Sequence, residues 1–290
     1  MSRRTLAASV ITKAHGRSLY PKIAVFFAAS CLFSWWMYAI ALVTGNASWE
    51  SHFPFGPMIA AILVISITEG KAGLREWWRR ISRVLGPARF YAIAAAGPTV
   101  IVLASAGIAL IAGVDAPGSS LWLEGILSSI IMLVPMAFAL GPVGEELAFR
   151  GWGQHKLQAS VSPFAAAILI GLGVVVWHLP LLALGDIPAV VVIALPAVSV
   201  VYAWLIRMSG TVWTAVTLHT FLNVVSGVYV YEIFDGGADD LRFAIVTVGF
   251  IAWAAYIVIR YGTSLTGKGE GQPVAATAEP PALVPAGSAR

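Results

Sequence analysis

The chain has 290 residues, 59% of them hydrophobic and 11% charged, with a mean hydropathy of +0.84. A soluble domain carries about a quarter charged residues, so this balance excludes one and marks an integral membrane protein. The net charge of +4 comes from bases scattered through membrane-flanking loops, which excludes a nucleic-acid-binding surface.

Apolar runs of about 20 residues recur along most of the length, the span an α-helix needs to cross a hydrocarbon core of roughly 30 Å. A transmembrane β-barrel would instead show short alternating segments. The first run, Ile23 to Val43, follows a segment without acids that contains Arg3, Arg4, Lys13, Arg17 and Lys22. That segment has the character of an organelle transit peptide, but the run behind it exceeds a signal-peptide core and reads as an uncleaved helix. Cys31, the only cysteine, lies in that helix, which excludes intrachain disulfides and cysteine-cluster metal sites. The second run, Phe53 to Thr68, is short and contains Pro57. In the following LREWWRRISRVL, Leu74, Trp77, Trp78, Ile81 and Leu85 share one helical face and arginines the other. This predicts a helix over 74–85 lying in the membrane interface as an anchor, tryptophans at headgroup depth.

Further spans are expected at Phe90 to Ala112, Leu121 to Leu140, Pro163 to Leu184, Ile187 to Ile206, Val212 to Tyr229 and Phe243 to Ile259. The fold class is all-α, a polytopic transmembrane bundle of about eight helices. The chain divides into an N-terminal segment (1–22), the first transmembrane helices with the interfacial helix (23–120), a core (121–229), and an outward loop with the last span (230–262). Gly, Pro, Ala and Glu dominate after Thr263, which predicts a disordered tail over 263–290. No internal repeat suggests a transporter with two related halves.

Lysine and arginine are retained on the cytoplasmic side of a membrane. They collect before the first span, between spans two and three (Lys71, Arg75, Arg79, Arg80, Arg83, Arg89) and after the last (Arg260, Lys268, Arg290). The alternate loops hold Glu50, Asp115, Asp186, Glu232, Asp235, Asp239 and Asp240, with Arg242 the only base. Both termini are therefore expected in the cytoplasm, and an even number of spans agrees.

Ionisable groups inside spans cost several kcal/mol each and are candidates for function. Glu69, Glu124 and Arg207 fall near span ends, where water or headgroups solvate them. In GEELAFRGW, Glu146 and Arg150 stand four residues apart and can pair on a helix, leaving Glu145, about 100° round, without a local partner. In TLHTFLN, His219 and Asn223 share a face of span seven, and VVVWHLPLL adds His178 in span five, followed by Pro180. A carboxylate, two imidazoles and an amide supply a base, a proton shuttle and hydrogen-bond donors, the parts needed for water attack on a carbonyl. Counting from the cytoplasmic boundary at about 1.5 Å per residue puts the histidines roughly 15 to 25 Å deep. Glu145 reaches that depth if span four continues past Arg150 or bends near Pro142 and Gly144. The site is then intramembrane, with an opening expected toward the cytoplasm.

Glu145-Glu146-x-x-x-Arg150, His178 and His219-x-x-x-Asn223, in this order on consecutive hydrophobic spans, resemble the CAAX protease and bacteriocin-processing (CPBP, or Abi) family of intramembrane endopeptidases, which includes the Ras-converting CAAX prenyl endopeptidases. The resemblance covers roughly Leu121 to Tyr229. One departure is Val174, where the family usually carries phenylalanine four residues before its histidine.

The resemblance implies that Glu145 activates a water together with His178, that His219 and Asn223 stabilise the oxyanion, and that Glu146 with Arg150 orients the site. It makes zinc a candidate cofactor, with Glu145, His178 and His219 as candidate ligands. The H-E-x-x-H helix of zinc proteases is absent, and a metal-free site is the reading preferred. The implied partner is a membrane-associated peptide or protein, a lipidated C-terminus or a bacteriocin leader, beside the lipids of a bacterial plasma membrane. Two alternatives use the same residues differently: a proton-coupled transporter, because Glu and His in spans also build proton relays, and a non-catalytic scaffold or immunity protein.

Overall fold

A computed structural model describes residues 3–115, 119–230 and 239–266. Glu232 and Asp235 of the expected outward loop, and the expected tail from residue 267 on with Lys268 and Arg290, lie outside the described residues. All regular structure among the described residues is helical.

The first helix, α1, runs Arg3–Thr44 and contains Pro21. A loop with one 3-10 turn leads to α2 (Gly56–Thr68) and α3 (Gly70–Ile81). Then come α4 (Ala88–Ile111) and α5 (Ser119–Ala139). After a break, α6 (Pro142–Ala148), a π-helical segment over Phe149–Gln154 and α7 (His155–Leu157) continue the same path. Next are α8 (Pro163–Trp177), α9 (Leu179–Leu184), α10 (Val191–Ser209), and α11 (Trp213–Val224), which passes into a π-helical turn over Val225–Val230. The last helix, α12, is Asp239–Tyr261.

Among the described residues four helices are long and apolar enough to cross a membrane: Leu19–Thr44, Ala88–Ile111, Val191–Ser209 and Asp240–Tyr261. The pair Leu123–Ala139 and Pro142–Leu157, bent by 42°, has the length and composition of a fifth when the two helices are taken as one broken span. The remaining expected spans are shorter than a bilayer. At about 1.5 Å per residue, the 13 residues of α2 and the 15 of α8 fall well short of roughly 30 Å. The expected fifth span breaks at His178 because Pro180 cannot donate to the helix ladder, and α9 starts anew from there.

Two apolar cores flank the bent crossing. One joins α1, α2, α3 and α8 around Phe26, Phe149, Trp152 and Trp177. The other joins α4, α10, α11 and α12 around Leu205, Leu218 and Phe250. Between α8 and α10 the backbones approach closely at Gly171, where a Cβ would sit 2.6 Å from Pro196 Cα. Helices in lipid gain little from hydrophobic burial, so small residues that permit such contact hold them together.

One end of the bundle is knitted by polar contacts. Lys156 meets Glu69 at 2.8 Å, Trp213 donates to the Ile81 carbonyl, Thr211 donates to the Arg83 carbonyl, and the Phe164 amide bonds Thr263. The bases of α3 and of the turn after it lie here. Trp77 and Ile81 are buried against the protein, contrary to the expected anchor with both tryptophans among headgroups, whereas Trp78 is 66% exposed. Trp77 turns inward because its indole N–H finds the Leu147 carbonyl at 3.0 Å.

Candidate active site

The bend before α6 has a local cause. Pro142 has no amide hydrogen, and Gly141 adopts φ +133°, a conformation rarely open to other residues. A side chain at Gly141 would also overlap Glu145 Oε1. Both routes by which Glu145 was expected to gain depth are realised: the crossing bends at Gly141 and continues to Leu157. After α6 the π-helical turn rotates the chain, and π-bulges of this kind accompany functional sites. Its backbone is held from outside, since Arg80 donates to the Gly151 carbonyl at 3.0 Å while Trp77 holds Leu147.

This framework commits Glu146 and leaves Glu145 open. Glu146 Oε1 accepts from Arg150 Nη1 at 3.1 Å and from His219 Nδ1 at 2.9 Å, with no exposure of the Glu146 side chain. Arg150 also donates to Ser199 Oγ at 2.9 Å and lies over the Tyr202 ring, 4.5 Å from its centroid. The positive charge is thus held by a carboxylate, a hydroxyl and an aromatic face, which is what makes it tolerable away from water. Glu145 is 7% exposed, and among the described residues its carboxylate makes no hydrogen bond or ion pair.

His178 caps α8, and its Nδ1 lies 2.8 Å from the Val174 carbonyl. A carbonyl only accepts, so Nδ1 carries the hydrogen and Nε2 of the neutral ring is left as an acceptor. Val174 itself is buried and lines the cavity below the histidine. Trp177 is clamped by α1: its indole donates to Ser34 Oγ at 2.7 Å, and Trp35 donates to its carbonyl at 2.9 Å.

Glu145, Glu146, Arg150, His178, His219 and Asn223 all line one cavity of about 960 Å³. That is large for a single-ligand site, and its wall is mainly apolar, with Leu181, Val198, Leu222 and Phe250 among the lining residues. The cavity does not lead to the basic end as expected. It extends the other way, past Leu181 to Gly185–Pro188 and to Asp240 and Arg242. Glu69, expected to be solvated at a span end, is instead met by Lys156 at the bundle's end, and exposed Glu124 stays outside this cavity. Among the described residues no group of three or more His, Cys, Asp or Glu side chains that could hold a metal ion is found.

One lining residue escapes the sequence pattern. His52 belongs to the loop after α1, which folds back into the bundle, its neighbour Phe53 bonding the Ser34 carbonyl at 3.2 Å. The His52 ring packs edge-on to Trp177 at 4.1 Å and nearly parallel to His178 at 6.1 Å. Both of its nitrogens are buried without a hydrogen-bond partner. The one clue in the sequence was the shortness of the second run, which leaves SHFPFGP too deep to be an ordinary surface loop. Ser199 and Tyr202 were also missed, because an apolar helix offers no pattern that singles out the residues facing Arg150.

Residues 127–225 match the family described as type II CAAX prenyl endopeptidase Rce1-like. The match takes in all six residues above and omits α1 to α4, His52 and α12. No curated protein matches the chain.

Proposed function

From the match of residues 127–225 to the Rce1-like CAAX endopeptidase family, we propose that this chain is an intramembrane endopeptidase that hydrolyses a peptide bond with its own Glu145 and His178 as the water-activating pair. The observation that carries the mechanism is the division of labour between adjacent glutamates: Glu146 is spent on Arg150 and His219, while Glu145 faces the cavity unpaired. An acceptor carboxylate and the acceptor Nε2 of His178 can share the proton of a water between them. The water oxygen then adds to the substrate carbonyl. His219, with Glu146 as its counter-ion, and the Asn223 amide donate to the resulting oxyanion. Collapse breaks the C–N bond, and the departing amine takes the proton held by the base. Positioned bases of this kind contribute roughly 10²- to 10⁴-fold, and an oxyanion donor roughly 10²- to 10³-fold.

The substrate is a membrane-associated peptide with an apolar or lipidated flank, matched to the apolar wall of the cavity. The test is cleavage of a fluorogenic peptide panel, farnesylated CAAX peptides included, by detergent-purified protein. Glu145→Gln and His178→Ala are expected to abolish cleavage while the proteins still fold, and Asn223→Ala to lower kcat by roughly 10²-fold. Activity is expected to survive a chelator. Loss on chelation that zinc restores would add a metal to the site, and undiminished cleavage by Glu145→Gln would refute the mechanism.

A further inference from the structure

The cavity has a closed end and an accessible end, and the charges of the chain assign the two ends to opposite sides of the membrane. Toward the basic end the path beyond Glu146 and Arg150 is filled by Phe149, Trp152 and Phe26, each at most 1% exposed. At the other end, exposed Asp186 and Asp240 belong to the cavity lining. Arg75, Arg79, Arg80, Arg83, Arg89 and Lys156 lie at the closed end; among the described residues at the accessible end Arg242 is the base beside Glu50, Asp115, Asp186 and Asp240. By the retention of lysine and arginine on the inner side, a bias of that size points the basic end to the cytoplasm. We infer that the site is entered from the non-cytoplasmic face, and that its substrate is an exported or externally anchored polypeptide whose apolar segment enters the outer half of the bilayer. The inference rests on the peptidase reading for the word substrate, and on geometry and charge alone for the side of entry.

The apolar wall continues from Leu181 to Val191 and Phe243 near the mouth, so an extended apolar segment can stay dry from the mouth to Glu145. A cytoplasmic peptide would have to pass the aromatic plug and the Glu146–Arg150 pair to reach the same carbonyl position.

Two measurements test this on the full chain. In a Cys31→Ser background, which removes the only cysteine, single cysteines replace Asp186 or Arg83, and spheroplasts are treated with a membrane-impermeant charged maleimide. Labelling of Asp186→Cys in intact spheroplasts, and of Arg83→Cys only after permeabilisation, is expected; the reverse pattern overturns the inference. The second measurement supplies a peptide that the detergent-purified enzyme cleaves, extended with aspartates so that it cannot cross a bilayer, to sealed vesicles. At least tenfold faster cleavage by right-side-out than by inverted vesicles is expected, and preference for inverted vesicles overturns the inference. If no peptide is cleaved even in detergent, the peptidase reading fails and the substrate class with it, while the labelling still decides the side of entry.

Discussion

Removing Arg150 would leave the buried Glu146 carboxyl facing His219 alone. The pair is fully withdrawn from solvent, and breaking one partner of such a pair costs about 3–5 kcal/mol. Arg150→Met is therefore expected to lower the unfolding temperature in detergent sharply, and Glu146→Leu/Arg150→Met to recover part of the loss, because no charge is then stranded. A double variant as unstable as the sum of the singles would mean that the pair is not coupled. His52 poses the opposite case. Its two ring nitrogens lack partners, and a buried unsatisfied polar group costs about 1–3 kcal/mol. His52→Phe keeps the ring contacts with Trp177 and His178 and is expected to unfold at the same temperature or higher. A fall in kcat at unchanged stability would then report contact between those nitrogens and the substrate. At this scale the sequence disclosed the charged half of the site, since each ionisable group in a span is conspicuous. It concealed His52, whose importance comes from a fold-back of the loop that no local pattern encodes.

The elements that carry the site are broken ones. The crossing that holds Glu145 bends at Gly141, turns π-helical at Phe149 and is braced by α3, while α8 stops at His178. Pro142 and Pro180 make both breaks legible in the sequence as interruptions. Their geometry was not legible, because the same prolines also fit a kinked continuous helix. Gly141→Ala tests the first break. A non-glycine residue at φ +133° carries about 1–3 kcal/mol of strain, and its Cβ would displace the Glu145 carboxylate. Lower stability together with a fall in kcat is expected; loss of stability alone would mean that Glu145 is placed by other contacts. In α3, burial favours the neutral form of Glu76, but Arg80 at 2.7 Å and Lys156 outweigh it and hold its carboxyl below the ordinary 4.5. A depressed carboxyl contributes stability above its unfolded pKa and loses it as pH falls through the folded value. The pair is half exposed, so its share is at most about 1 kcal/mol. Glu76→Gln should flatten the acid side of the stability profile slightly and leave it unchanged near pH 7.

For the molecule as a whole, the segment that matches the family model is braced by helices outside it. All six residues of the proposed chemistry lie within 127–225, yet α1 supplies three of their supports. Phe26 packs against Phe149 and Trp152 with ring centroids 5.8 and 5.0 Å apart. Ser34 and Trp35 grip the indole and the carbonyl of Trp177, the residue next to His178. From α3 come the donors that hold Leu147 and Gly151. The sequence marked α1 as a span by hydropathy alone, and hydropathy cannot say which neighbour a helix grips. Helices that insert independently and then associate can be supplied as separate chains. A fragment of residues 88–290 is therefore expected to insert but not to cleave, and co-expression with residues 1–87 to restore both co-purification and cleavage. If residues 88–290 alone cleave at the rate of the intact chain, the grip of α1 and α3 on the site is packing without consequence for catalysis. If co-expression restores association but not cleavage, the covalent turn between α3 and α4 is itself needed to set the Trp77 and Arg80 bonds, and a variant with that turn lengthened should be slow in proportion.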